Sequence, residues 1–383
     1  MDKMTTLIEQ RTDRWIEELS ELLRCKSDSS TEDGIVGLPT CANKLAAVMK
    51  DVGIHTTAYD THDGGPILYG ELLSPRKDAP TALVYGHYDV KPAGDLADWH
   101  SDPFEPDIRE GRIYARGVAD NKGQLFCYLK AVEVLKEMGE ELPLNLKFLF
   151  EGAEEVGSPS LQPFLHEHKA MLTCGAVISS DAAMHESGRP TVTLGLKGSY
   201  GPTLEIHCAN RDVHSMHGAT IPSATWRMIG LLNTLKGEDG KVLIEGFYDD
   251  VIPPTEEQLA TLDTIPDAEE TIKKELGLSH FIHGRVTDNF NYNTVFEPTC
   301  NISSLKSGHL GAGNNNIIPC SARVKFDMRL VPNQHPDKIH ELFKAHLHKH
   351  GYDDAIFISE GDNTAPSRSP LGHPFVKAAT EIL

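Results

Sequence analysis

Short apolar runs that stop at metal-binding residue types constrain the fold of this chain more than any other feature. Residues 81–85 (Thr-Ala-Leu-Val-Tyr) lead into Gly86-His-Tyr-Asp-Val90, residues 144–150 (Leu-Asn-Leu-Lys-Phe-Leu-Phe) into Glu151-Gly-Ala-Glu-Glu-Val156, and Ala176-Val-Ile178 towards Asp181. Each run has the length and composition of a buried strand. Between the first two, Leu125, Tyr128, Leu129, Val132 and Leu135 recur at helical spacing over 124–138. Strand and helix therefore alternate, which predicts an α/β layer whose ligands gather at the carboxyl ends of its strands. Leu7, Trp15, Ile16, Leu19, Leu22 and Leu23 predict an amphipathic opening helix that serves as scaffold.

After Asp181 the pattern changes. Residues 191–194 and 200–208 predict strands, 222–235 a helix, and 239–275 is charged and punctuated by prolines. A strand over 317–330 and a helix over 336–349 lead back into α/β alternation, so the second domain reads as an insertion into the first. Two domains suit 383 residues, because single cores stop growing at roughly 250–300.

Charge and cysteine usage exclude several classes. Lys and Arg number 36 against 56 Asp and Glu, a formal charge of -20 that repels phosphate backbones and anionic membranes. No nucleic acid and no membrane partner is expected. Cys25, Cys41, Cys127, Cys174, Cys208, Cys300 and Cys320 are scattered with no CxxC pair, which indicates neither a disulfide framework nor a thiolate zinc site. The first residues lack the apolar core of a signal peptide, and no run approaches the ~18–20 apolar residues of a membrane span. A cytoplasmic location is expected.

His87 and Asp89 lie two apart at a strand end and share a face, so the carboxylate can hydrogen-bond the ring nitrogen that holds no metal. An isolated His-x-Asp is equally a buried structural pair. Asp120 precedes a helix and serves as an N-cap on one reading; on the other it bridges two metals about 3.5–4 Å apart. Glu154 and Glu155 resemble surface acids, yet in extended backbone neighbours point oppositely, so one can ligate while the other exchanges a proton. Asp181 either completes the coordination around His87 or stabilises a turn.

Taken together, Gly86-His-Tyr-Asp-Val90, Trp99, Asp102-Pro-Phe-Glu-Pro106, Gly111-Arg-Ile-Tyr-Ala-Arg-Gly117, Asp120-Asn-Lys-Gly123 and the run from Glu151 to Gly157 carry a resemblance. The chain resembles the dinuclear zinc metallopeptidases that include cytosolic nonspecific dipeptidase, carnosinase, aminoacylase and the acetylornithine and succinyl-diaminopimelate deacylases. Residues 102–106 and 115–124 resemble the dipeptidase branch more than the deacylases. The implied fold is a phosphorylase/hydrolase-like three-layer α/β catalytic domain with an inserted two-layer α+β lid that also dimerises. The corresponding divisions are 1–197 for the first part of the catalytic domain, 198–327 for the lid and 328–383 for the return.

The resemblance also implies roles. His87 and Asp181 would hold one metal and Glu155 the other, with Asp120 bridging, Glu154 as general base and Asp89 orienting His87. The Asp120–Asn121 peptide is expected to be cis. Two divalent ions, zinc or manganese, would activate water against the peptide bond of a dipeptide. Arg211-Asp-Val-His-Ser215 resembles the lid segment whose histidine stabilises the oxyanion, which points to His214, with His217 close by. Lys325-Phe-Asp-Met-Arg-Leu-Val-Pro332 resembles the returning strand, and Arg329 would grip the substrate's terminal carboxylate. Asn316 falls at a lid position that contacts substrate. A homodimer through the lid and a dipeptide or N-acyl amino acid substrate follow. Relatives complete the second metal site with a histidine beyond the helix that here begins near His373. The sequence stops at Leu383, so the metal on Glu155 is expected to lack its imidazole. An N-acyl amino acid deacylase is the runner-up, and a truncated chain that binds metal or partners without turnover is the alternative of another class.

Overall fold

A computed structural model of the protein describes residues 3–62, 65–182, 184–185, 187–282, 287, 289–311, 315–359, 361 and 363–382. The chain forms two compact units, Met1–Ala183 and Met184–Leu383. The first contains α1 (Lys3–Leu23), α2 (Glu32–Asp51), β1 (His55–Tyr59), β2 (Gly65–Leu72), β3 (Thr81–His87), β4 (Asp107–Arg109), β5 (Arg112–Tyr114), α3 (Lys122–Met138), β6 (Asn145–Gly152), α4 (Leu161–Glu167) and β7 (Ala176–Ser179).

Its main sheet runs in the order β1-β2-β6-β3-β7. The pairs β1·β2 and β2·β6 are antiparallel, whereas β6, β3 and β7 are parallel to one another. Alternate residues of the central strands face opposite cores, as the two-residue period of a strand demands. Leu68, Val84, Phe148 and Phe150 pack with Leu38, Leu45, Leu125 and Leu129 of α2 and α3. Ile67, Leu83 and Leu149 pack with Phe164 of α4 on the other side. Helices therefore cover both faces, which is the expected three-layer α/β arrangement and explains why these strands are apolar throughout. Each phenylalanine buried this way contributes about 1.5–3 kcal/mol.

The second unit contains β8 (Gly195–Leu196), β9 (Gly198–Tyr200), β10 (Thr203–His207), β11 (Val213–His214), α5 (Ala224–Leu235), α6 (Glu256–Leu262), α7 (Glu269–Leu276), α8 (Phe290–Phe296), β12 (Thr299–Ser307), β13 (Ile317–Ile318), β14 (Ser321–Leu330), α9 (Pro336–Lys349), β15 (Ile356–Ser359), β16 (Ser367–Arg368) and α10 (Pro374–Ile382). Its sheet has the order β12-β14-β10-β15, with β9 also paired to β14. Ala322, Val324, Phe326, Met328 and Leu330 of β14 point to one face and meet Met228 and Leu231 of α5 and Ile339, Phe343 and Leu347 of α9. The intervening Arg323, Lys325 and Arg329 are exposed, so this is a two-layer unit with one face of the strand bare.

The second unit reaches further than the expected 198–327. A boundary at 327/328 falls inside β14, while α9 and β15, expected in the returning part, belong to the second core and sheet. β8 and β16 pair with each other, where the chain leaves for this sheet and where it comes back.

Candidate metal centre

Parallel pairing brings the three strand ends level. His87 at the end of β3 lies opposite Glu151 of β6. Tyr85 lies opposite Ser179 of β7, so Asp181, two residues past that pair, comes level with His87. Asp120 arrives from the loop before α3. Gly86 permits that approach, since a Cβ there would stand 2.7 Å from Asn121 Oδ1. Asn121 Oδ1 accepts from the His87 backbone N–H at 3.3 Å, and the Asp120–Asn121 peptide is cis, as the resemblance leads one to expect.

His87 Nε2 lies 3.0 Å from Asp120 Oδ1 and 3.5 Å from Asp181 Oδ2. These three residues offer ligand atoms that all lie within 4.8 Å of one another. The other ring nitrogen, Nδ1, faces the Asp89 backbone oxygen at 3.1 Å and Asp89 Oδ1 at 3.3 Å. One imidazole and two carboxylates fit a divalent cation of the zinc or manganese type, and a carboxylate behind the imidazole is the partner that aims such a histidine. His87 is fully buried, whereas 58 % of the Asp120 side chain is exposed, which leaves the centre open on that side.

The electrostatics call for positive charge. Burial lowers the His87 imidazole, but its hydrogen bond to Asp89 and the charges of Asp89, Asp181 and Glu154 outweigh that and push it up to about 9. Asp89 shows the reverse balance. Burial pushes its carboxyl up, yet hydrogen bonds from His87, Ser29 and the Glu155 backbone hold it below the usual value. Burial raises Asp181; His87 opposes that, and Asp120 and Glu155 add to it. Glu154 is raised by burial too, with His87 opposing and Asp181, Glu155 and Asp89 adding. A carboxyl raised in this way is suited to taking up and returning a proton.

Glu154 and Glu155 sit on a 3-10 turn, Glu154–Val156, directly after β6. Asp89 fixes that turn, accepting from the Glu154 N–H at 3.2 Å and the Glu155 N–H at 3.1 Å. The Ser29 hydroxyl donates to Asp89 Oδ2 at 2.7 Å. Glu155, expected as a ligand, is not in the three-residue cluster. Its Oε2 instead pairs with Lys91 Nζ at 2.6 Å. Ser29 and Lys91 carry no local signal in the sequence, because their roles come from contacts with segments about 60 residues away.

The remaining expected residues belong to the second unit. His214 of β11 lies opposite Ile317 of β13, and the Ser215 N–H donates to the Asn316 oxygen at 2.8 Å, so His214 and Asn316 share one small ribbon. His214 is exposed, and its Nδ1 accepts from the Met216 N–H at 3.1 Å. Arg329 is an exposed residue of β14 whose Nε lies 3.0 Å from Asp327 Oδ1.

Relatives match most of this chain in sequence. Cys-Gly metallodipeptidase dug1 of Schizosaccharomyces pombe is 28% identical over 365 residues, 91% of this chain and 76% of the relative. Human Beta-Ala-His dipeptidase is 27% identical, covering 98% of this chain and 76% of its own length. In structure, an M20 family metallo-carboxypeptidase from Sulfolobus solfataricus superposes with a TM-score of 0.82 at 34% identity, over 100% of this chain and 83% of that one. The profile of Peptidase family M20/M25/M40 matches residues 83–383. Strand ends, ligand cluster, relatives and profile agree, and the chain belongs to peptidase family M20/M25/M40.

Proposed function

We propose that this protein hydrolyses dipeptides at a divalent metal centre built on His87, Asp120 and Asp181. The observation that carries the reading is His87 itself, with Nε2 turned to two carboxylates and Nδ1 held by Asp89. The names of the relatives, metallodipeptidase and Beta-Ala-His dipeptidase, favour a dipeptide over an N-acyl amino acid. When bound, a divalent cation supplies Lewis-acid polarisation of the scissile carbonyl and acidifies water. Asp120 and Glu155 are the residues that would hold a second ion beside the first. Zinc and manganese both match this donor set.

The chain's own residues do the rest. Glu154 takes the proton from the attacking water and passes it to the leaving amine, for which its raised carboxyl is suited. Asp89 keeps His87 in one tautomer and holds the turn that aims Glu154. His214 stabilises the developing oxyanion, Arg329 takes the terminal carboxylate, and Asn316 lines the substrate. The seven free cysteines suit a reducing compartment such as the cytoplasm. Among the described residues no helix is long and apolar enough to cross a membrane.

A panel of dipeptides against N-acetyl amino acids tests the reading on the intact chain, before and after chelation. Dipeptide turnover should vanish on chelation and return with zinc or manganese. Glu154→Gln should keep its metal and lose about 10²–10⁴-fold in rate. Faster N-acetyl hydrolysis would replace dipeptidase by deacylase; turnover indifferent to chelation would sink the metal mechanism.

A homodimer through the second unit uses β12, an edge strand with Ile302 and Leu305 about half exposed, and α5, with Trp226 75% exposed. Sedimentation equilibrium should return twice the 42.1 kDa chain mass, and a monomer mass overturns the dimer.

A further inference from the structure

Glu155 carries a partner that a metal ligand would not be expected to have. Its side chain is only 8% exposed, and Lys91 Nζ lies 2.6 Å from Oε2 and 3.2 Å from the Glu155 backbone oxygen. One ammonium therefore clamps the carboxylate and its own main chain. The Lys91 side chain reaches in from a position 56% exposed, and its charge also acts on Glu154 and Asp120. A nearly buried carboxylate needs a compensating charge, and this chain supplies that charge from two residues beyond Asp89.

We infer that Lys91 is a built-in counter-ion at Glu155 that competes with the second metal, so that the centre loads unequally. This rests on the metal-centre reading above. The first cation enters the His87–Asp120–Asp181 cluster, whose ligand atoms all lie within 4.8 Å of one another and none of which Lys91 clamps as it does Glu155. A second cation on Glu155 must displace an ammonium already bonded there, or sit beside it against like-charge repulsion. Occupancy of the second position is then set by the protein as much as by metal supply, and a chain holding one ion is the resting form at limiting metal.

Equilibrium dialysis of the intact chain against Mn2+ with atomic absorption tests this. The wild type should take up one ion tightly and a second at least tenfold more weakly. Lys91→Gln should tighten the second step by tenfold or more and leave the first unchanged, while Lys91→Arg, which keeps the charge, should preserve the gap. Glu155→Gln should remove the second step whether or not Lys91 is present. Circular dichroism of each variant confirms folding before uptake is read. Two equal steps in the wild type, or a Lys91→Gln chain indistinguishable from it, overturns the inference and leaves the metal reading standing. No Mn2+ uptake by any variant overturns both.

Discussion

Asp89 joins pieces of chain that are far apart in sequence. Fully buried, it accepts from the Ser29 hydroxyl and the Glu154 and Glu155 backbone N–H groups and faces His87 Nδ1. Truncation orphans these donors, each at about 1–3 kcal/mol when buried, and frees the imidazole to rotate. Asp89→Ala should therefore lower the urea midpoint by several kcal/mol equivalent and weaken Mn2+ binding by about 10–100-fold. Unchanged affinity in a folded variant would show that Asp89 does not orient the ligand. The His87-x-Asp89 pair was readable because strand period alone places both side chains on one face. Ser29 was not readable, since its contact depends on how residues 27–29 lie against β3's end, a matter of tertiary packing. Glu155 shows the converse limit: its residue type suggests a ligand, and only the fold reveals Lys91 on it.

α9 shows how an element's sequence can set a pH response. His346 in its last turn is 4% exposed, and its Nε2 lies 3.0 Å from Thr234 Oγ1 of α5. His350 stacks on it at 4.3 Å. Burial, with the charges of His350 and Lys349, lowers His346 from 6.5 to about 4. The unfolded chain thus binds a proton near 6.5 that the folded chain refuses until about 4, so stability falls as pH drops through that window. Urea titrations should lose roughly 1–3 kcal/mol from this group between pH 7 and pH 4, because each tenfold difference in proton affinity between the two states is worth about 1.4 kcal/mol. His346→Gln should flatten that slope, and equal slopes in both chains would refute the assignment. Periodicity made α1, α3, α5 and α9 legible. The strand expected at 191–194 does not form, because pairing starts only at β8. The strand expected over 317–330 is broken at Pro319 and Cys320; β13 before the break pairs with β11, and β14 after it with β10 and β12. Strand partners are non-local, and the alternation of β14 runs on through 327 without a mark, which is why the second unit's extent could not be read in advance.

At the scale of the whole molecule, charge and architecture pull cation binding in different directions. A formal charge of -20 attracts cations everywhere on the surface, weakly and screened by salt. The ligand cluster lies wholly within Met1–Ala183, on strands whose cores include Phe148, Phe150 and Leu149, whereas β10 and β14 belong to a separate core. A cation bound to the folded site alone stabilises that unit by about 2.7 kcal/mol at 100 times its Kd. Amides that exchange only when the unit opens should then slow about 100-fold. Hydrogen exchange with Mn2+ at 100 Kd and ordinary salt should show this gain in β3 and β6 and none in β10 and β14. Asp181→Asn removes one carboxylate of the cluster but only one of 56 acidic side chains, so it should abolish the gain if the site is responsible and leave it if surface charge is. A gain of equal size in β14 would mean that the two cores open together, and no gain in β3 or β6 would mean that the cluster does not bind the ion.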